Sequence, residues 1–568
     1  MIQHDVVIVG SGIAGMRCAL EIKRQAPRSD VALVSKLYPL RSPSVVERTG
    51  IAAALGNVHE SLDGTITPSR GQRDLADSIE AHIADTLSFG GGLGNSEAVA
   101  ALCEAAPSAI IELELMGTPF SRTSEGRIAQ TMGAGHSKPR LAYAADRTGH
   151  AILHTLYGEL VRYGIKIYPE QFLLQLLVAD GNACGVAVLD IRSGDVALIN
   201  SKITVFATGS YGRVFGVTSD TQSSTGDGVV AAARAGVALH DLGNVQFHPL
   251  GLHGTGFVLD ERLLHDGAYL LNTTEQRFMA NYSPALGERA HPAAVLTAIT
   301  GEIAAGRGAG VAKDHVWLDV RHLPAQHVRE HVPYLLEFAH DYLGLNPFDD
   351  LIPVQPTAHH TLGGLPTDLD GRVAGLANFY AVGACATNGA HGTAALPGNM
   401  LAAAVVFGRR TGGVIADHLN AGDLVYGDVP NRALAQAEAE IAQLLSRKGD
   451  GRVAGLREEL LHSTSHSNGA RTDVALQQQQ IGLLHELRGR FDRVALHDKG
   501  RRFNTELVEA LELDRLLEVS SAIAQAKVGI STAAPAFSPP IAAPAAPSIS
   551  SAPAITQTIT APPAPPIS

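Results

Sequence analysis

At 568 residues the chain is too long for one ordinary domain, and two to four are expected. With 45% hydrophobic and 18% charged residues it has the composition of a soluble globular protein with a large core. A net charge of −12 argues against nucleic acid or an anionic membrane surface as the main partner. The four cysteines, Cys18, Cys103, Cys184 and Cys385, are widely scattered and form no C-x-x-C pair. The chain itself is therefore expected to hold no iron–sulfur cluster and no structural zinc, and no metal site is predicted. Scattered cysteines without a secretion signal point to a reducing cytoplasm. The longest apolar stretch, Met400 to Val414, is interrupted by Arg409 and Arg410, so no membrane span is expected.

The first element is a continuous apolar run, Val6-Val7-Ile8-Val9, as a strand covered on both faces requires. Gly10, Gly12 and Gly15 follow in the G-x-G-x-x-G spacing and open a helix. The first glycine permits the tight turn. The second lets the backbone approach a pyrophosphate, and the third lets helix and strand pack closely. The pyrophosphate would sit on free N–H groups at the helix start. A second strand, Val31 to Ser35, ends in Ser35 and Lys36 rather than in the acidic residue that binds the ribose of NAD. FAD is therefore favoured over NAD. Lys202 to Phe206 forms another apolar strand that leads to Gly209 and Gly212, and Thr225-Gly226-Asp227-Gly228 follows.

Residues 1–240 alternate strand and helix patterns, as a parallel sheet flanked by helices would. Residues 241–350 are richer in Pro and His with weaker alternation, which suggests an inserted domain. Residues 351–420 return to glycine-rich turns and a long apolar helix. Residues 430–527 read as helical, with apolar positions at helical spacing in Ala433 to Leu445 and Gln477 to Phe491. After Lys527 the chain carries no charge and is rich in Pro, Ala and Ser, so 528–568 is expected to be a disordered tail. A tether or docking peptide is its functional option.

The segments Ala144 to Leu156, Ser224 to Gly228, Gln246-Phe-His-Pro249, Asn272 to Tyr282 and Val405 to Arg409 stand in one order along the chain. In these segments the sequence resembles the flavoprotein subunits of succinate dehydrogenase and fumarate reductase, a family that includes L-aspartate oxidase. The resemblance implies an α/β fold: a Rossmann-like FAD-binding domain in two parts (1–240 and 351–420), an inserted capping domain (241–350) and a helical domain (430–527). It implies hydride transfer between flavin N5 and a small dicarboxylate, with a proton exchanged at the neighbouring carbon. It also implies an iron–sulfur partner subunit and a location at the inner face of the membrane through partners. Carried over residue by residue, His248, Glu261 and His359 occupy catalytic positions. Gly10, Gly12, Gly15, Ser35, Lys36, Gly209, Asp227, Asn399 and Leu401 occupy cofactor-binding ones.

The family arginines do not carry over. The proton-shuttle arginine aligns with Pro292, the substrate-clamping one with Ala395, and a third with Leu264. Arg289 and His291 are the nearest cations to Pro292. His360 replaces a tyrosine, and His265, His291 and His360 suggest altered polarity. The histidine that carries covalent flavin in relatives aligns with Pro43, so FAD is expected to bind noncovalently, at a potential that disfavours succinate oxidation more than fumarate reduction. Val46-Glu-Arg-Thr49-Gly50 replaces a run of small residues, and Ala384 replaces a glutamate that holds the ribityl chain. Relatives continue past Leu516 into a small C-terminal domain where this chain turns into its tail. Three readings follow: a dicarboxylate oxidoreductase, a catalytically impaired flavin-binding or structural subunit, and an enzyme for a different substrate.

Overall fold

The computed structural model describes residues 1–57, 77–467 and 474–529. The tail expected to be disordered falls, from residue 530 on, outside the described residues.

The Val6–Val9 run lies at the centre of a seven-stranded sheet. Strands Lys166–Tyr168, Val31–Val34, Ile2–Val9 and Val196–Phe206 pair in parallel in that order. Gln171–Ala179 and Asn182–Asp190 extend the sheet as an antiparallel meander. Phe379–Ala381 adds in parallel to Thr204–Phe206, which returns the later chain to the first sheet. The two-sided burial expected of the first strand is present. Val6 and Ile8 enter a core shared with the helices Ile13–Gln25, Thr148–Arg162 and Asn399–Ala421. Val7 and Val9 enter a second core, shared with the meander, the Asp227–Arg234 helix and the C-terminal helices.

Gly408 and Gly412 bring the Asn399–Ala421 helix against the first helix at backbone distance. A Cβ at either position would lie 2.7 Å from the Ala14 carbonyl oxygen or 2.6 Å from that of Cys18. Four helices, Ala433–Ser446, Val453–Ser467, Val474–Phe491 and Thr505–Lys527, cover the other face. The last is fastened by Arg234, which pairs with Asp514 and Glu518 at 2.6 Å each.

A separate four-stranded antiparallel sheet has the order Val245–Leu252, Ile352–Thr361, Val316–Asp319, Tyr269–Leu271. It has its own core, including Leu250, Phe278, Leu318 and Ile352. The Pro- and His-rich stretch beginning near residue 241 thus builds a cap, and its sheet is completed by a strand that runs on to Thr361. Among the described residues, no helix is long and apolar enough to cross a membrane.

Candidate active site

A cavity of about 720 Å³ runs between the first sheet and the cap. At one end it is lined by Gly10, Gly12, Ser35, Lys36, Gly209 and Asp227. Gly10 has φ +115°, and a Cβ there would lie 1.9 Å from the Ala207 carbonyl oxygen. Only glycine fits the turn, as its place in the motif predicts. Gly15 lies behind the wall. Its Cα faces the Gly10 carbonyl, where a Cβ would stand 2.2 Å away, so it serves helix–strand packing.

The first helix starts at Ile13 after Gly12, and the second at Asn399 after Gly398, neither with a side-chain cap. Both starts reach the same cavity, the second through Met400 and Leu401. Ile13 N–H reaches Ser44 Oγ at 3.4 Å and Asn399 N–H donates to the Leu396 carbonyl at 2.9 Å, and the positive ends of both helix dipoles favour negative charge in this one space. A glycine cradle without room for a Cβ and two uncapped helix starts fit a dinucleotide with an anionic pyrophosphate.

Three expected cofactor residues have other duties. The Lys36 ammonium pairs with Asp227 and Glu512 at 2.8 Å each and donates to Thr225 Oγ1 at 2.7 Å. All three of its N–H donors are thereby occupied. Burial opposes its charge, but the two carboxylates outweigh burial and hold its pKa above the ordinary value. Ser35 shares a hydrogen bond of 2.6 Å with Ser11. Asn399 is fully buried away from the cavity wall, 2.9 Å from His82 Nε2 and donating to Thr86 Oγ1 at 2.9 Å.

The other end of the cavity is made by the cap. In the pairing of Val245–Leu252 with Ile352–Thr361, Gln246 faces His360 and Phe247 faces Ala358. His359 is the extra residue of a β-bulge. A regular strand would send His359 and His360 to opposite faces. The bulge re-aims them, and their ring centroids lie 3.8 Å apart, both on the cavity wall. His359 Nδ1 is 2.8 Å from Ser219 Oγ, and its ring meets that of His248 edge-on at 5.4 Å.

His248 and Glu261 sit behind this wall, with side chains 10% and 14% exposed. His248 Nδ1 accepts the Leu250 N–H at 3.1 Å, so the ring proton is assigned to Nε2, 3.2 Å from Glu261 Oε1. Burial, with Asp260 adding to it, pushes the Glu261 carboxyl up to about 8. Burial and the neighbouring His359 and His360 hold His248 well below its ordinary value. At neutral pH the pair is uncharged, and Glu261 can give up and regain a proton near working pH. Burial, reinforced by His360, takes His359 to about 3, and burial, reinforced by His391, takes His360 to about 3.

The aligned arginine positions are closed to cation chemistry. Ala395 is buried, its N–H donates to Gln246 Oε1 at 2.8 Å, and its carbonyl accepts from Gln246 Nε2 at 3.3 Å. Pro292 opens the Pro292–Ala304 helix, and Leu264 is in the cap core. Arg289 is exposed, and His291 caps the helix by accepting the Ala293 N–H on Nδ1 at 3.2 Å. Of the three additional histidines, His360 reaches the cavity, whereas His265 and His291 are exposed. Pro43 and Ala384 line the cavity, and Pro43 offers no atom for a covalent flavin link.

Two further residues complete this end. Glu47 lies on the wall, with a carboxyl that burial raises against the pull of His359. His391 is also there, with Nδ1 buried and, among the described residues, without a partner. In the sequence Glu47 stands out only as a charged residue in the run Val46-Glu-Arg-Thr49-Gly50 that follows Pro43.

The fold and cavity define an FAD-binding flavoprotein with an inserted cap. A family model described as an FAD binding domain matches residues 5–401, and one described as the fumarate reductase flavoprotein C-term matches 461–528. The chain is 35% identical over 541 residues to the succinate dehydrogenase flavoprotein subunit of Rickettsia felis, covering 91% of this chain and 86% of that protein. It is 34% identical over 542 residues to the fumarate reductase flavoprotein subunit of Mycobacterium tuberculosis, covering 92% and 89%. A solved E. coli quinol fumarate reductase chain matches with a TM-score of 0.84 at 32% identity, covering 92% and 88%. The chain belongs to the succinate dehydrogenase and fumarate reductase flavoprotein family, and FAD is its cofactor.

Proposed function

We propose that the protein is the flavoprotein subunit of an oxidoreductase that interconverts succinate and fumarate or a closely related small acid, using noncovalent FAD. The observation that carries this reading is the close contact of His248 with Glu261, 3.2 Å apart, and its neighbour His359, set at the cap end of a cavity whose other end fits a dinucleotide. Bound FAD supplies the two-electron chemistry, a hydride exchanged at N5. The N–H groups at the start of the first helix hold its pyrophosphate. His359 orients the substrate from the cap. Glu261 stores the proton that must reach or leave the carbon beside the hydride-bearing one, and His248 holds that carboxyl in place. Cys18, Cys103, Cys184 and Cys385 are each buried and free, so they offer no set of cluster ligands for an electron path of the chain's own. An iron–sulfur partner subunit supplies that path.

The test is the visible spectrum of the purified protein, reduced anaerobically and then mixed with fumarate. Flavin bands that return with fumarate are expected. Flavin that stays reduced would overturn the substrate assignment. A second reading, a flavin-loaded but catalytically silent subunit, is favoured by the buried Ala395 where relatives carry a clamp. Ala395→Arg combined with Pro292→Arg separates the two. A charge-assisted bond is worth roughly 1.5–3 kcal/mol, so restored clamps should raise fumarate reduction about ten- to a hundredfold. No gain in a folded, flavin-loaded double variant would favour the silent subunit.

A further inference from the structure

The three positions that the family resemblance assigns to arginines hold Pro292, Ala395 and Leu264, while the cavity wall carries Glu47 and His360 together with Arg48, whose guanidinium lies over the Phe257 ring. Glu47 forms no ion pair with a lysine or arginine among the described residues. Glu47 is half-buried, and a partly desolvated carboxylate without a cation is relieved by protonation or by binding a cation. His360 makes no hydrogen bond through its ring among the described residues, and its ring lies tilted by 34° against that of His359. Donor atoms of Glu47, His359 and His360 all lie within 4.8 Å of one another. The bulge is what makes this possible, since it turns two consecutive histidines toward one space.

The histidine contacts also suit a metal. Ser219 Oγ lies 3.5 Å from the Ala358 carbonyl, to which it donates, and it can then accept from His359 Nδ1–H at 2.8 Å. That arrangement leaves the His359 Nε2 lone pair free, as in metal-binding histidines whose other nitrogen is held by a hydrogen bond. Two histidines and one carboxylate with open positions form a donor set suited to a divalent transition metal.

We propose that Glu47, His359 and His360 bind one divalent transition-metal ion, and that this ion replaces the missing guanidinium groups in holding a substrate carboxylate. The second half rests on the dicarboxylate reading above. Small χ rotations would bring the donors to the roughly 3.3 Å that separates ligands on a tetrahedral zinc ion. His391 lies on the same wall outside this donor group, and its Nδ1, unpartnered among the described residues, is offered as a hydrogen-bond donor to the bound carboxylate.

A competing group exists in the cap. His253, Asp314 and His315 also bring donor atoms within 4.8 Å of one another. There a single Asp314 oxygen already bridges the two imidazoles at 3.1 and 3.0 Å, and Asp314 is exposed. His315 Nε2 is buried and unpartnered among the described residues, but this group lies outside the cavity that would hold cofactor and substrate.

The experiment is calorimetric titration of the chelator-treated full-length flavoprotein with Zn²⁺ alone, with flavin per chain measured for every sample. One saturable equivalent is expected. Glu47→Ala and His360→Tyr should each weaken it at least tenfold, and Asp314→Ala should leave it in place. If Glu47→Ala fails to fold or loses flavin, His360→Asn supplies the same test from the cap strand. Absence of saturable binding overturns the site. So does binding that survives Glu47→Ala and is lost in Asp314→Ala. Zinc binding as expected with no fumarate response would leave the metal site standing and overturn the dicarboxylate reading. Full fumarate turnover in excess chelator would overturn the ion's role toward substrate.

Discussion

At its dinucleotide end the cavity is built largely of backbone, and at its cap end of side chains. The first end depends on the Gly10 turn, on two uncapped helix starts and on the distance between packed elements. Such a site tolerates sequence change as long as the glycines and the core behind them persist. The cap end depends on which side chains project into it. There the positions that the resemblance assigns to arginines hold Pro292, Ala395 and Leu264, and Glu47 and His360 stand on the wall. The backbone-built end therefore carries the signals by which the cofactor site is recognised, and the side-chain-built end is where a single residue decides the chemistry.

The largest effect is expected where the two kinds of construction meet, at Lys36. Its ammonium ties Asp227, at the start of one helix, to Glu512 in the last helix, 476 residues away in sequence. Lys36→Met would leave two largely buried carboxylates short of a cation, a loss of about 3–5 kcal/mol. Chemical denaturation should show that loss whether or not flavin is present. A change below about 1 kcal/mol would mean that Arg457, 3.5 Å from Glu512, compensates.

Gly10→Ala comes next. The added Cβ would meet the Ala207 carbonyl at 1.9 Å in a backbone conformation that favours glycine. A cost of about 3 kcal/mol is expected, with loss of most bound flavin. The ratio of flavin absorbance to protein in the purified variant measures it. Retention of full flavin would show that the cradle is more pliable than its geometry implies.

The sequence made these two ends legible to different degrees. The strand–glycine–helix entry was readable because its signals are local: an apolar run, three glycines in fixed spacing, and then a second strand. The C-terminal helices were readable from their spacing for the same reason. The partners of Lys36 and Asn399 were not, because Glu512 and His82 lie 476 and 317 residues away. The joint placement of His359 and His360 was equally hidden. It depends on a one-residue register shift against Gln246 and Phe247, which only the paired strand reveals.

Glu261→Gln tests the charge state of the cap end. Glu261 titrates near 8 in the folded protein and near 4.5 in an unfolded chain. Between those values the folded state keeps a proton that the unfolded state has released, so stability falls as pH rises and the loss ends above about 8. His248, His359 and His360 have lowered pKa values and act in the opposite sense, but only below their unfolded value of 6.5. Glu261 therefore dominates its own difference between pH 6.5 and 8. Across that window the non-ionising glutamine should gain on wild type by about 1.4 kcal/mol per pH unit, or about 2 kcal/mol in all. Urea midpoints at the two pH values measure the change. A constant difference would mean that Glu261 is already ionised at neutral pH.

The smallest effect separates the bulge from the hydroxyl that supports it. Ser219→Ala removes the 2.8 Å contact to His359 Nδ1 but leaves the strand pairing alone. The stability cost should be about 1 kcal/mol, and flavin content should not change. If the hydroxyl fixes the tautomer that turns the Nε2 lone pair toward the cavity, zinc affinity should fall about tenfold. The affinity could instead stay at the wild-type level in Ser219→Ala while falling in His360→Tyr. The bulge alone would then set the donor geometry, and the side-chain-built end would owe its new chemistry to a single shift of backbone register.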